Sequence, residues 1–142
     1  MTRILVPLEA SPGNPRVLQL AAAMATSMAG SLTLLHVYEP PNAMVGIVPG
    51  ATVEGEAAAD ESAGKELLDG ALAVLAGVGF SNVDVMLERR PSVLDAIIEE
   101  ARRFDMVIMG THGRRGFDRA VFGSIAEHVV RGAPCPVVTI HL

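Results

Sequence analysis

Asp105-Met106-Val107-Ile108-Met109 runs into Gly110-Thr111-His112-Gly113 and, nine residues later, into Gly123-Ser124. The first five residues read as a buried parallel strand, a short apolar run closed by glycine. From Ser124 to Arg131 the spacing turns helical. Strand, glycine-punctuated loop and helix start together form the arrangement that holds phosphate in α/β proteins. Glycines let backbone N–H groups approach an anion, and the helix start adds unpaired donors and the positive end of its dipole. This segment predicts a nucleotide binder.

The rest of the chain supplies the matching frame. Arg3–Leu8, Leu32–Val37, Val83–Leu87, Met106–Met109 and Val137–Ile140 are apolar runs with little polar alternation, as strands covered on both faces show. Four helical patterns alternate with them. In the first, Asn14 is the expected cap, Pro15 the first helical residue and Gly30 the stop, with Leu18, Ala21, Ala22, Ala25 and Met28 on one face. The second spans about Val53 to Ala76. The third begins near Pro91, with Leu94, Ile97, Ile98 and Ala101 inward and Glu99, Glu100, Arg102 and Arg103 outward; the fourth follows Gly123. Strands separated by single helices predict parallel pairing through right-handed crossovers, hence an α/β, open, doubly wound, five-stranded sheet of the flavodoxin- or Rossmann-like kind. Residues 1–142 read as one domain, long enough to bury roughly two thirds of the unfolded surface.

Composition narrows the function. Half the residues are apolar, yet no run reaches the ~18–20 residues of a membrane span, and the N-terminus lacks a signal-peptide core. A cytoplasmic protein without membrane contact is expected. A formal charge of −5 argues against a nucleic-acid surface. Cys135, the single cysteine, forms no internal disulfide and reads as a small buried apolar residue. Scattered histidines without i, i+4 pairing offer no metal site. His36 reads as a satisfied core residue, His128 and His141 as surface or interface groups.

The residues Ile4-Leu5-Val6-Pro7, Val107-Ile108-Met109-Gly110-Thr111-His112-Gly113, Gly123-Ser124 and Pro134-Cys135-Pro136-Val137-Val138 together resemble the universal stress protein family. The G-x-x-G, nine residues, G-[S/T] spacing is the pattern of its ATP-binding branch. The resemblance implies strand order 3-2-1-4-5, a homodimer, and a nucleotide-dependent stress-response switch that binds ATP with Mg2+ or Mn2+ carried by the phosphates. Position by position, it implies that Pro7, Leu8 and Glu9 wall the adenosine and that Val37 touches the adenine. Met109, Gly110, His112 and Gly113 would line the ribose and first phosphates, and Gly123, Ser124 and Ile125 would hold the terminal phosphates. The departures are Glu9 where aspartate is common, Ala10 where glycine or an aromatic is usual, and Arg89 in place of a frequent glycine. Glu9 adds a methylene, moving the carboxylate by ~1.5 Å.

The chemistry of the residues bounds this picture. Lys65, the only lysine, stands in an acidic segment from Glu54 to Asp69, so no P-loop lysine exists. Arg114, Arg115 and Arg119 lie inside the loop, where a guanidinium fork suits phosphate or simply meets solvent. His112 is expected to hydrogen-bond ribose or phosphate rather than to act as a base. Glu9-Ala10-Ser11-Pro12-Gly13-Asn14 holds one glycine, against a dinucleotide fingerprint, and one hydroxyl, against a flavin phosphate loop. No dedicated enzyme activity follows, and slow ATP hydrolysis stays open. A nucleotide-free dimeric interaction module, with Glu9 blocking the pocket, is the other reading. Pro40–Gly50 reads as a loop folded onto the body, a lid or a dimer contact. The uncharged last strand, Val137 to Ile140, is the expected edge for pairing with a second copy.

Overall fold

The computed structural model describes residues 1–40, 53–111 and 123–142. Among the described residues five strands and four helices alternate: β1 (Arg3–Pro7), α1 (Asn14–Ser27), β2 (Ser31–Tyr38), α2 (Val53–Gly77), β3 (Val83–Arg89), α3 (Val93–Ala101), β4 (Met106–Gly110), α4 (Ser124–Gly132) and β5 (Val137–Ile140). The sheet is parallel throughout, in the order β3-β2-β1-β4-β5. It is therefore the α/β sheet expected, and β1 and β4 flank the point where strand order reverses.

Side-chain alternation along the strands divides the core into two layers. Ile4, Val6, Leu32, Leu34 and Ile108 meet α1 and α2 on one face through Val17, Leu18, Ala21, Leu68 and Leu75. Leu5, Leu35, Val37, Val107 and Met109 meet α3 and α4 on the other through Ala96, Ile97, Ala126 and Val129. Both faces are covered, which is why the strands read as continuous apolar runs. None of the described helices is long and apolar enough to cross a membrane.

Several local expectations are corrected. Gly13, not Asn14, caps α1; Asn14 is its first residue, and Pro15 stays in the first turn. Asn14 instead turns its side chain back, Nδ2 donating to the Glu9 carbonyl at 2.7 Å. At the other end Met28 is 38 % exposed rather than inward. The left-handed residue there is Ala29, with φ 50°, while Gly30 is buried with its N–H on the Ala25 carbonyl at 2.7 Å. In α3 the cap is Ser92, whose hydroxyl accepts from the Asp95 N–H at 3.2 Å. Glu100, expected outward, is buried. Cys135 is half-buried against the α3/α4 layer, and burial together with the Asp105 carboxylate pushes its thiol pKa up, away from reactivity.

Candidate functional site

A cleft opens at the carboxyl ends of β1 and β4, with a volume of about 850 Å³ counted out to its solvent mouth. Its position follows from the sheet. β2 runs beyond β1, so that Val37 pairs only with Glu88 of β3, and β4 likewise extends past the residues it shares with β1. Between those overhanging ends the α3/α4 layer is left uncovered by strand. Leu35, Val37, Met109, Val93 and Ile97 make an apolar floor there. Pro7, Leu8, Glu9, Ser11 and Asn14, from the turn between β1 and α1, form one wall; Gly123, Ser124, Ile125 and Ala126 form the opposite one.

Backbone hydrogen bonds fix the first wall. The Leu8 N–H donates to the Leu35 carbonyl at 2.8 Å, and the Leu8 carbonyl meets His36 Nδ1 at 2.8 Å. His36 is thus a satisfied, half-buried residue that braces the site from below rather than lining it. Further along, the Gly13 N–H donates to Ser11 Oγ at 3.2 Å. Glu9 is exposed and belongs to this wall rather than to the apolar floor.

The second wall is the start of α4. Glu127 N–H returns to the Gly123 carbonyl at 3.0 Å, which leaves the N–H groups of Ser124, Ile125 and Ala126 outside the helical ladder. Among the described residues no side chain caps this end. The Gly123 N–H is already spent on the Thr111 carbonyl at 2.5 Å, and Thr111 N–H is held by Ile140 at 3.0 Å. Because every crossover helix runs back along a parallel sheet, the N-termini of α1, α3 and α4 all converge at this cleft, and their dipoles favour an anion. An apolar floor beside a row of amides outside the helical ladder and the Ser124 hydroxyl suits a flat ring carrying phosphate.

Nine of the expected site residues are brought together here: Pro7, Leu8, Glu9, Val37, Met109, Gly110, Gly123, Ser124 and Ile125. His112, Gly113 and Arg114 lie outside the described residues, as do Arg115, Arg119 and residues 41–50 of the long loop. Sequence reasoning missed Ile97, which it placed inward on the third helix, as well as Val93 and Thr111, which stands inside the glycine motif. It also missed Leu142, whose side chain reaches the cleft from beyond β5. Lys65 lies far from this chemistry, 3.4 Å from Glu61 on the exposed face of α2. Among the described residues no cluster of three or more His, Cys, Asp or Glu could hold a metal.

Comparison with known proteins agrees with this architecture. A profile described as "Universal stress protein family" matches residues 1–141. A universal stress protein of Mycolicibacterium smegmatis is 30 % identical over 96 % of this chain and 45 % of its own length. The chain spans 32–47 % of the length of the curated relatives it matches. A crystal structure of a universal stress protein family member from Burkholderia pseudomallei superposes with TM-score 0.76 at 25 % identity, covering 99 % of this chain and 96 % of that one. The Archaeoglobus fulgidus universal stress protein in complex with dAMP superposes with TM-score 0.69 at 24 % identity, covering 99 % and 98 %. With the profile matched along almost the whole sequence and the same sheet order expected and found, this chain belongs to the universal stress protein family.

Proposed function

We propose that the cleft binds an adenine nucleotide, ATP with a divalent ion carried on its phosphates, and that the chain acts as a nucleotide-dependent stress-response switch. The observation that carries this reading is the build of the cleft: an apolar floor of Leu35, Val37, Met109 and Ile97 facing the start of α4, whose first N–H groups lie outside the helical ladder. The adenine would lie on that floor. The phosphates would reach the N–H groups of Ser124 and Ile125 and the Ser124 hydroxyl, with Gly110, His112, Gly113 and Arg114 continuing the cradle and Pro7, Leu8 and Glu9 at the adenosine end. The dAMP complex of the Archaeoglobus fulgidus neighbour supports an adenine nucleotide as the ligand class. We assign no catalytic role to any lining residue, since phosphoryl transfer at speed needs a positioned nucleophile and strong charge stabilisation.

The test has two parts. Freshly purified protein is denatured and its released small molecules are identified by mass spectrometry, then the apo protein is titrated with Mg-ATP. Near-stoichiometric adenine nucleotide, or saturable binding, is expected; an empty protein that also fails to titrate overturns the reading and leaves a nucleotide-free module. Gly123→Val locates the site. The backbone at Gly123 is extended, φ −63° and ψ 147°, a conformation valine adopts freely. The variant is therefore expected to fold and to lose nucleotide, and unchanged affinity would place the ligand elsewhere.

A further inference from the structure

Gly110 closes β4 and belongs to the glycine motif, yet its backbone does not demand glycine: its φ lies outside the left-handed region, as does that of Gly13 at −84°. What both positions lack is room. A Cβ at Gly110 would stand 2.9 Å from Leu142 Cδ1 and 3.3 Å from Val17 Cγ2. A Cβ at Gly13 would stand 2.5 Å and 2.8 Å from the two Leu142 methyls. The two glycines come from different turns, one after β1 and one ending β4, and they seat the same isobutyl group. Leu142 is held in place from its own side by Thr111 N–H on the Ile140 carbonyl at 3.0 Å, just ahead of it.

We propose that Leu142 is a positioning residue for the ligand: an apolar wedge, seated on Gly13 and Gly110, that forms the α1-side wall of the cleft and sets its width. The inference rests on the nucleotide reading above and deepens it, because it gives Gly110 a steric task distinct from approach to phosphate. A methyl added at Gly110 displaces the isobutyl group. Leu142 lines the cleft, so a shift toward it carries the group into ligand space. Removing the isobutyl group removes that conflict.

The test is a double-mutant cycle on the full chain, read both by titration with AMP and with Mg-ATP and by the thermal unfolding midpoint of the apo protein. Gly110→Ala is expected to weaken nucleotide about tenfold and Leu142→Ala a few-fold, while the double variant binds no worse than Leu142→Ala alone. Gly13→Ala, which crowds the same group, should behave as Gly110→Ala does and be rescued in the same way. A purely structural contact would couple the midpoints and leave the affinities of folded variants unchanged, which overturns the proposal. Affinity losses that multiply independently also overturn it, since Gly110 is then glycine for the ligand's sake. If the parent chain binds neither nucleotide, the nucleotide reading falls with the wall's role. The seating contact is still read from the midpoints, where additive losses would dismiss it too.

Discussion

Gly30 and Ala29 show how one residue can be placed correctly for the wrong reason. The pattern puts a glycine at the end of α1, where a left-handed residue commonly stops a helix. The left-handed residue is Ala29, exposed and at φ 50°, whereas a Cβ at Gly30 would lie 2.6 Å from the Thr2 carbonyl oxygen. That oxygen accepts the Ser31 N–H at 2.9 Å and cannot retreat without breaking the start of the sheet. Gly30→Ala is therefore expected to cost roughly 1–3 kcal/mol, as overpacking against backbone does. Ala29→Gly, which relieves a left-handed alanine, should cost nothing measurable. Urea unfolding of the two variants checks the pair; a Gly30→Ala variant as stable as the parent would mean that the Thr2 contact does not decide the position. The reason lay hidden in the sequence because Thr2 is remote from Gly30 along the chain and only the β1–β2 register brings them together. The same holds for Gly110 and Leu142, while Ser124 was legible from the spacing of the glycine motif and Val37 and Met109 through the family resemblance.

At the scale of the element, α3 and the end of β3 form a charged seam beside the cleft. The short apolar repeat of α3 was readable; the burial of Glu100 was not, because a charged residue on a helical pattern reads as solvated until its partners are known. Glu100 pairs with Arg103, Arg90 pairs with Glu99, and Arg90 Nη1 stands 3.6 Å from Glu88 Oε2. That Oε2 is buried and without a hydrogen-bond partner among the described residues. Burial first, and the Glu100 carboxyl second, raise the Glu88 pKa above its ordinary 4.5, with Arg90 and Arg103 opposing. A carboxyl whose pKa rises on folding stabilises the fold fully only below its unfolded value, and that contribution is lost as pH climbs through the raised one. Glu88→Gln, neutral at every pH, should consequently unfold at a higher temperature than the parent near pH 7, the gap closing below pH 4.5. Glu99, held down by Arg90, carries the opposite sign, so Glu99→Gln should lose stability at neutral pH and not in acid. Thermal midpoints between pH 2.5 and 8 decide it; a Glu88→Gln gap that widens in acid would refute the assignment.

For the whole molecule the question is what becomes of the two open edges of the sheet. β3, at one edge, carries Asp84, Glu88 and Arg89, and its Val85 is 45 % exposed. β5, at the other, reads Val137-Val138-Thr139-Ile140 with no charge at all. Charges on an edge repel a second strand and their absence invites one, so β5 is the edge we expect to pair antiparallel with its copy across a two-fold axis. The ladder fixes which groups are available. Pro136 and Ile140 present their carbonyls to Val107 and Thr111 of the β4 side, and in a parallel pair alternate residues turn the same way, so Val137 and Thr139 direct N–H and C=O outward. Proline is tolerated at such an outward position and removes one donor from the edge without touching the bonds to β4. Light scattering on the eluting parent should give twice the 14.9 kDa chain mass, and Thr139→Pro should shift it to the single mass. Circular dichroism and nucleotide titration on the variant separate this from unfolding, because the cleft lies on the β1–β4 side and should keep its ligand. A parent that elutes as a single chain would remove β5 pairing outright. A Thr139→Pro dimer would move the contact to another surface.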